Sequence, residues 1–157
     1  MAVQNLKVCV DVIINDGSAT LLSRAYCDPA TRFSVILGTG SNASIILPVS
    51  ALANDKFGSR PKSWHDKAEH VLVNTEFSMF GKGILPVTRW DERIDRAHIM
   101  PGFQPFEHLI SGRYLGEIVR QILLEAIQDC DLFQGQIPER FLEPYALDTS
   151  TLAMIES

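Results

Sequence analysis

Cysteine is scarce in this sequence, positive charge falls short of negative, and no apolar run is long. Each shortage closes off a class of protein. Cys9, Cys27 and Cys130 are odd in number, widely spaced and form no Cys-x-x-Cys pair. A disulfide framework and a thiolate metal site are therefore not expected, whereas reduced thiols in a cytoplasmic protein are. Lys and Arg total 14 against 19 Asp and Glu, for a net charge of −5. A partner such as nucleic acid is not expected, because displacing counterions from phosphates needs a basic surface. The one basic stretch, Lys56 to Lys67, also carries Gly58, Pro61 and Asp66 and reads as a solvated loop. Apolar runs are interrupted at Asp11 or Glu125, far short of the roughly 20 residues that a bilayer demands. No membrane span is expected, and Met1–Leu6 has no basic region that would open a signal peptide. His65, His70, His98 and His108 have neither HExxH nor zinc-finger spacing, so surface or packing roles are expected and no metal site.

What remains is an ordinary globular composition. With 157 residues and 46% hydrophobic residues, the chain suits a single domain with its own core. Leu6–Ile14 is rich in β-branched residues and predicts a buried strand, with Cys9 in the core. Ala19–Tyr26 predicts a short helix, with Asp16 or Ser18 as its N-cap and Cys27 buried at its end. Phe33–Leu37 and Ala43–Leu47 predict two strands joined as a hairpin through Gly38-Thr39-Gly40-Ser41-Asn42. Residues 53–68 read as loop, His70–Thr75 as a strand and Thr88–Ala97 as a surface helix. Trp64 and Trp90, among polar neighbours, are expected to be half-buried.

The longest helix is predicted to follow Pro105. Leu115, Ile118, Val119, Ile122 and Ala126 recur along one face of a 3.6-residue period. Pro138 and Pro144 bracket a last short helix. Strands and helices mix throughout, so the class is α/β or α+β.

Polar residues cluster where predicted elements end. Asn15 and Asp16 follow the first predicted strand, where a carboxylate can serve as a general base, although Asn and Asp equally favour turns and caps. The spacing of Gly38 and Gly40 lets backbone amides approach a phosphate, but it also suits a plain hairpin turn. Glu76 ends a strand, and Glu107 opens the long helix, where the macrodipole alone stabilises a carboxylate.

Taken in order, the segments IINDGSATLLSRAY, VILGTGSNASI, VNTEFSMFG, LPVTRWDERID, PGFQPFEHLISGRYLGEIVR and LDTSTLAMIES resemble the hexokinase family, in particular its eukaryotic and fungal type. That family carries an N-D-T-x-G-T motif, an L-G-T-G-x-N-A turn, an N-x-E-[WY]-G-x-F strand end, and P-G-x-Q-x-[FY]-E-K followed by S-G-x-Y-L-G-E. The resemblance runs through nearly the whole chain. It implies an actin-like, ribonuclease-H-like α/β ATPase domain, with residues 1–157 forming part of the large subdomain, truncated at both ends. It implies transfer of the γ-phosphoryl group of ATP, with Mg²⁺, to the 6-hydroxyl of glucose or a related hexose. On matching positions Asp16 is the implied general base, and Asn15, Asp16, Asn42, Glu76 and Glu107 are the implied sugar ligands. Carboxylates accept from paired sugar hydroxyls, and amides both donate and accept. Thr39, with Gly38 and Gly40, falls on the phosphate turn. Gly112, Arg113 and Thr149 fall near the nucleotide, and Arg113 stands where some members have Lys.

The sequence departs from the family in ways that bear on activity. The upstream D-x-G-G-T phosphate loop, the Thr-Lys sugar loop and the downstream adenosine segment are not in this chain, so the segment alone is expected to be inactive. Gly17 replaces a Thr and Ala19 a Gly beside Asp16, and Ser78 replaces a Gly after Glu76. Misplacing a base can cost about 10²-fold in rate. The alternative is therefore a catalytically silent, hexokinase-like sugar sensor. An exposed apolar face, open to self-association, is also expected.

Overall fold

The computed structural model describes residues 9–157. They form two compact units: the described part of Met1–Ser34 with Ser44–Asn74, and Val35–Ala43 with Thr75–Ser157. The element order is α1 (Asp16–Cys27), β1 (Phe33–Leu37), β2 (Ser41–Pro48), α2 (Lys62–His65), β3 (His70–Asn74), α3 (Arg89–Ala97), α4 (Pro105–Ile110), α5 (Gly112–Asp129) and α6 (Thr149–Glu156). Strands neighbour one another in the order β1, β2, β3. The antiparallel pair β2 and β3 sets Ser44 opposite Asn74 and Pro48 opposite His70.

In the first unit, α1 begins earlier than predicted, and its cap is neither Asp16 nor Ser18. Asn15 is extended, and its Oδ1 accepts the Gly17 N–H at 2.8 Å, relieving one of the unpartnered amides of the first turn. The helix buries Gly17, Ser18 and Leu21 and packs on β3. Cys27 lies about 240° around the helix from Leu21, which explains why it is exposed rather than in the core. Cys9 is exposed too. The predicted strand over Leu6–Ile14 is not formed at 9–14, and residues 6–8 lie outside the described residues. Its β-branched residues suit a pleated, half-buried surface, and 9–14 pair with no strand among the described residues. The predicted loop 53–68 holds a 3-10 turn, Asn54–Phe57, and the short α2. Phe57 is buried, with its ring centroid 5.2 Å from that of the half-buried Trp64.

The second unit is built around α5, against which α3, α4 and α6 all pack. Helix α3 forms as predicted. The Thr88 side chain accepts the Asp91 N–H, and Asp91 accepts the Thr88 N–H at 2.8 Å, a capping box. The predicted long helix after Pro105 is two helices, because Ser111 is extended at φ −87°, ψ 153°. From there Gly112 N–H donates to the Gly38 carbonyl at 2.8 Å, and Arg113 N–H to the Thr39 carbonyl at 3.2 Å. Backbone partners outside the helix thus set its start.

The apolar stripe Leu115, Ile118, Val119, Ile122 and Ala126 is only half-buried. Deeper on α5 lie Tyr114 and the charged pair Glu117 and Arg120, 3% and 4% exposed. Arg120 donates to Glu117 at 2.7 and 2.6 Å and to the Phe141 carbonyl. Glu117 also accepts from Gln121 at 2.9 Å and from the Tyr145 N–H at 2.6 Å. Burial by itself would raise the Glu117 carboxyl, but these donors outweigh it and hold the group below its ordinary range. The sequence reading did not contain α6. Thr149, at its start, donates to the Gly112 carbonyl at 2.7 Å and accepts the Gly116 N–H at 2.9 Å. Gly116 is required there, since a Cβ would overlap the Leu147 carbonyl.

Among the described residues, no helix is long and apolar enough to cross a membrane.

Glu117→Gln leaves the Arg120 charge buried without its counter-charge, at a cost of about 3–5 kcal/mol, measurable by urea unfolding. The depressed Glu117 carboxyl stabilises the fold above the ordinary value of 4.5, and that contribution is lost as pH falls through the lower folded value. The variant therefore loses stability less steeply than the parent as pH falls from 4.5 to that lower value.

Candidate functional site

Residues 38–42, which join β1 to β2 and open β2, belong to the second unit. Their turn is closed by the Gly38 N–H donating to the Gly40 carbonyl at 2.9 Å. Ser41 N–H then donates to Glu107 Oε2 at 2.7 Å. A Cβ on Gly40 would sit 2.9 Å from that same oxygen, so glycine is what lets the carboxylate approach. Glu107 is carried by α4 rather than by the longest helix, and it is anchored to the turn.

Glu76 reaches the same neighbourhood from the end of β3. The Ala43 carbonyl accepts both the Thr75 N–H at 3.0 Å and the Thr75 hydroxyl at 2.9 Å, which pins the strand end. The chain then turns through Glu76 in the left-handed region, φ 47°, ψ 41°. A non-glycine residue there is unusual and costs on the order of 1–3 kcal/mol. This conformation sets Glu76 Oε1 3.4 Å from Asn42 Nδ2, while Asn42 Oδ1 accepts the Ala43 N–H at 2.7 Å. Asn42 thereby meets Glu76, and Glu107 is held at the amide of the neighbouring Ser41, a rim of carboxylate and amide oxygens suited to hydroxyl donors.

A second, polar cavity of about 340 Å³ opens between Thr39, Gly112, Arg113, Tyr145, Asp148 and Thr149. It gathers Thr39, Gly112, Arg113 and Thr149, which sequence reasoning placed near a nucleotide. Tyr145 and Asp148 were missed. The Asp-Thr-Ser start before an apolar run, a helix N-cap signature, was the available signal for Asp148. Nothing local marks Tyr145, whose left-handed φ of 59° follows from its tertiary contacts.

Asn15 and Asp16 belong to the first unit. Both are exposed, and the Gly17 N–H is shared between Asn15 Oδ1 and Asp16 Oδ1, each at 2.8 Å. Among the described residues, no group of three or more His, Cys, Asp or Glu side chains is placed to hold a metal ion.

Behind Glu107 lies an imidazole cluster. His108 is buried, its Nδ1 3.5 Å from Asp95 Oδ1 and its ring 4.3 Å from that of Tyr114 and 4.8 Å from that of His98. Burial, helped by His98, lowers the His108 imidazolium from its ordinary value, and Asp95 and Glu107 only partly oppose this.

Residues 32–157 match the family model for hexokinase. Hexokinase-4, chloroplastic, from Oryza sativa subsp. japonica is 39% identical over 155 residues, covering 98% of this chain and 29% of the relative. Hexokinase-1 of Schizosaccharomyces pombe is 37% identical over 155 residues, with coverages of 96% and 30%. A hexokinase structure from Schistosoma mansoni, complexed with glucose, superposes with a TM-score of 0.80 at 35% identity, covering 91% of this chain and 31% of that one. The chain thus spans under a third of the length of the curated relatives it matches.

Two outcomes follow from the geometry around Glu107. Gly40→Ala displaces the carboxylate, and the Ser41 amide, which donates to it in the parent, exchanges with solvent faster by NMR. Since His108 is held neutral, it stabilises the fold above its ordinary pKa of 6.5, and that contribution fades as pH falls toward the lower folded value. His108→Gln flattens the corresponding slope of stability against pH as pH falls below 6.5.

Proposed function

The chain belongs to the hexokinase family, whose fold is the actin-like α/β domain, and we propose that it forms the sugar-holding part of a hexokinase large subdomain. In this reading it serves transfer of the ATP γ-phosphoryl group to the 6-hydroxyl of glucose or a related hexose. The observation that carries it is the shared rim of Asn42, Glu76 and Glu107, with Glu107 anchored on the Ser41 amide and Asn42 against Glu76. The glucose in the Schistosoma mansoni hexokinase structure supports a hexose as the ligand.

Asp16 is proposed as the base that accepts the hydroxyl proton, with Asn15 beside it as a further sugar ligand. Thr39, with Gly38 and Gly40 in the turn, and Arg113 are the proposed phosphate contacts, and Gly112 and Thr149 line the same polar cavity. The fit is chemical: a guanidinium and a hydroxyl are donors suited to phosphate oxygens. Thr149 contributes through position, since its hydroxyl is already engaged with Gly112 and Gly116. Mg²⁺ accompanies the ATP in this proposal and supplies charge neutralisation. A cytoplasmic location is proposed from the free thiols Cys9, Cys27 and Cys130.

A second reading, a sugar sensor without turnover, is favoured by Gly17 and Ala19, which depart from the family's N-D-T-x-G-T motif beside Asp16. Gly17 brings its N–H to both Asn15 and Asp16, so the residue beside the proposed base already shapes its surroundings. In a full-length protein carrying this segment, turnover that appears only after Gly17→Thr with Ala19→Gly selects the sensor. Turnover by the unaltered protein removes it.

Calorimetric titration of glucose into the 157-residue chain should show saturable binding that Asn42→Ala and Glu107→Ala each abolish. No appreciable glucose 6-phosphate should form from ATP. Binding unchanged in both variants, or robust product formation, would overturn the assignment.

A further inference from the structure

We propose that Tyr145 is a positioning residue that holds the Arg113 guanidinium at the polar cavity in the orientation that receives a polyphosphate. The inference rests on the reading of that cavity as the phosphate-binding part of the site, and deepens it.

The start of α5 has no free amide to offer an anion. The Ser111 N–H donates to the Glu107 carbonyl, those of Gly112 and Arg113 to the carbonyls of Gly38 and Thr39, and that of Tyr114 to the Ser111 carbonyl. These are the four amides that a helix ordinarily leaves open. Positive charge at the cavity must therefore come from a side chain, and Arg113 is the cation that lines it.

Arg113 is exposed, and among the described residues no carboxylate lies within ion-pair distance of it. A long side chain without an ionic partner loses rotamer entropy when it is ordered for a ligand. Here two aromatic rings do the ordering in advance. The guanidinium carbon lies 5.2 Å from the Tyr145 ring centroid and 5.9 Å from that of Tyr114. The two rings meet edge to face, 6.2 Å apart at 68°, and form a corner around the cation.

A cation–π contact leaves in-plane N–H donors of a guanidinium for oxygen acceptors, and the Tyr114 hydroxyl is one acceptor within reach of Arg113. Planar, forked donors match phosphate oxygens. Tyr145 is itself fixed. Its N–H donates to Glu117 Oε2 at 2.6 Å, its φ is 59°, and Glu117 is held by Arg120 and Gln121. Glu117 sits one turn along α5 from Arg113, so the buried ion pair fixes the ring relative to the same helix that carries the cation. Asp148 also lines the cavity. Its charge opposes a bare anion, so the ligand that fits is a polyphosphate accompanied by a divalent cation.

The test is a calorimetric titration of inorganic tripolyphosphate, with Mg²⁺, into the whole chain and its variants. Tyr145→Phe keeps the ring and should bind as the parent does. Tyr145→Leu and Arg113→Lys should each weaken binding by about three- to tenfold, the scale of one such contact. The double variant should be no weaker than the weaker single one, because each change removes the same contact. Parent-like affinity in Tyr145→Leu, or losses that multiply in the double variant, would overturn the proposal. A second measurement does not depend on how the leucine variant folds. Tyr145 ring resonances should shift on adding tripolyphosphate to the parent and stay fixed in Arg113→Ala; no shift in the parent counts against the proposal. Failure of the parent to bind tripolyphosphate ends this inference while leaving the glucose titration as the separate judge of the sugar reading.

Discussion

Two backbone hydrogen bonds organise the second unit: Gly112 N–H to the Gly38 carbonyl and Arg113 N–H to the Thr39 carbonyl. They join the β1–β2 turn to the start of α5. A Cβ at Gly112 would lie 3.0 Å from the Gly38 carbonyl oxygen, tighter than ordinary contact, so a larger residue there would press on the junction. Because the turn supplies these acceptors, the helical run after Pro105 breaks at Ser111. Glu107 is left on a separate short helix, where its carboxylate can reach the Ser41 amide. The same junction brings Thr39 beside Arg113 at the polar cavity. The groups proposed for a sugar and those proposed for a phosphate thus share, in this unit, one small piece of backbone.

Charge is distributed between burial and surface in a way that separates structure from function. Glu117 and Arg120 are taken out of water together, and each of their side-chain nitrogens and oxygens meets a partner. A pair of this kind is worth keeping mainly because breaking it is so costly. The pair between Arg89 and Glu125, with Trp90 Nε1 donating to Glu125 at 3.1 Å, lies at the surface, where solvent screens it. The site carboxylates follow a third pattern. Glu76 is exposed and Glu107 half-buried, each aimed by backbone geometry. Left-handed backbone at Glu76 and again at Gln104, just before α4, marks the approaches to this rim. Strain held at such points is characteristic of functional sites.

Much of this was legible because it depends on near neighbours in the chain. Thr88 and Asp91 announce α3 through a reciprocal cap, apolar runs announce β1 and β3, and Gly38-Thr39-Gly40 announces a turn. The side chains Asn42, Glu76 and Glu107 stand out as polar groups at element ends, and the motifs around them carry the family. The strand expected before Asn15 was not formed at 9–14, since a strand exists only where another strand takes up its hydrogen bonds. Asn15 displaced Asp16 and Ser18 as the cap because capping depends on where an oxygen lies relative to an amide, and three polar residues within four positions look alike in sequence.

From the residues alone came the family, the mixture of helix and strand, and the identities of the polar groups that can meet a hydroxyl or a phosphate. These follow from side-chain chemistry and from interactions spanning a few residues. Tertiary structure alone decided that Ser111 ends one helix and starts another, and that a charged pair lies deeper in α5 than its apolar stripe. It also decided that Tyr145 faces Arg113 although 32 positions separate them in the chain. Each outcome depends on a partner distant in sequence, and the energy of a hydrogen bond or a buried charge is set by what stands opposite it in space.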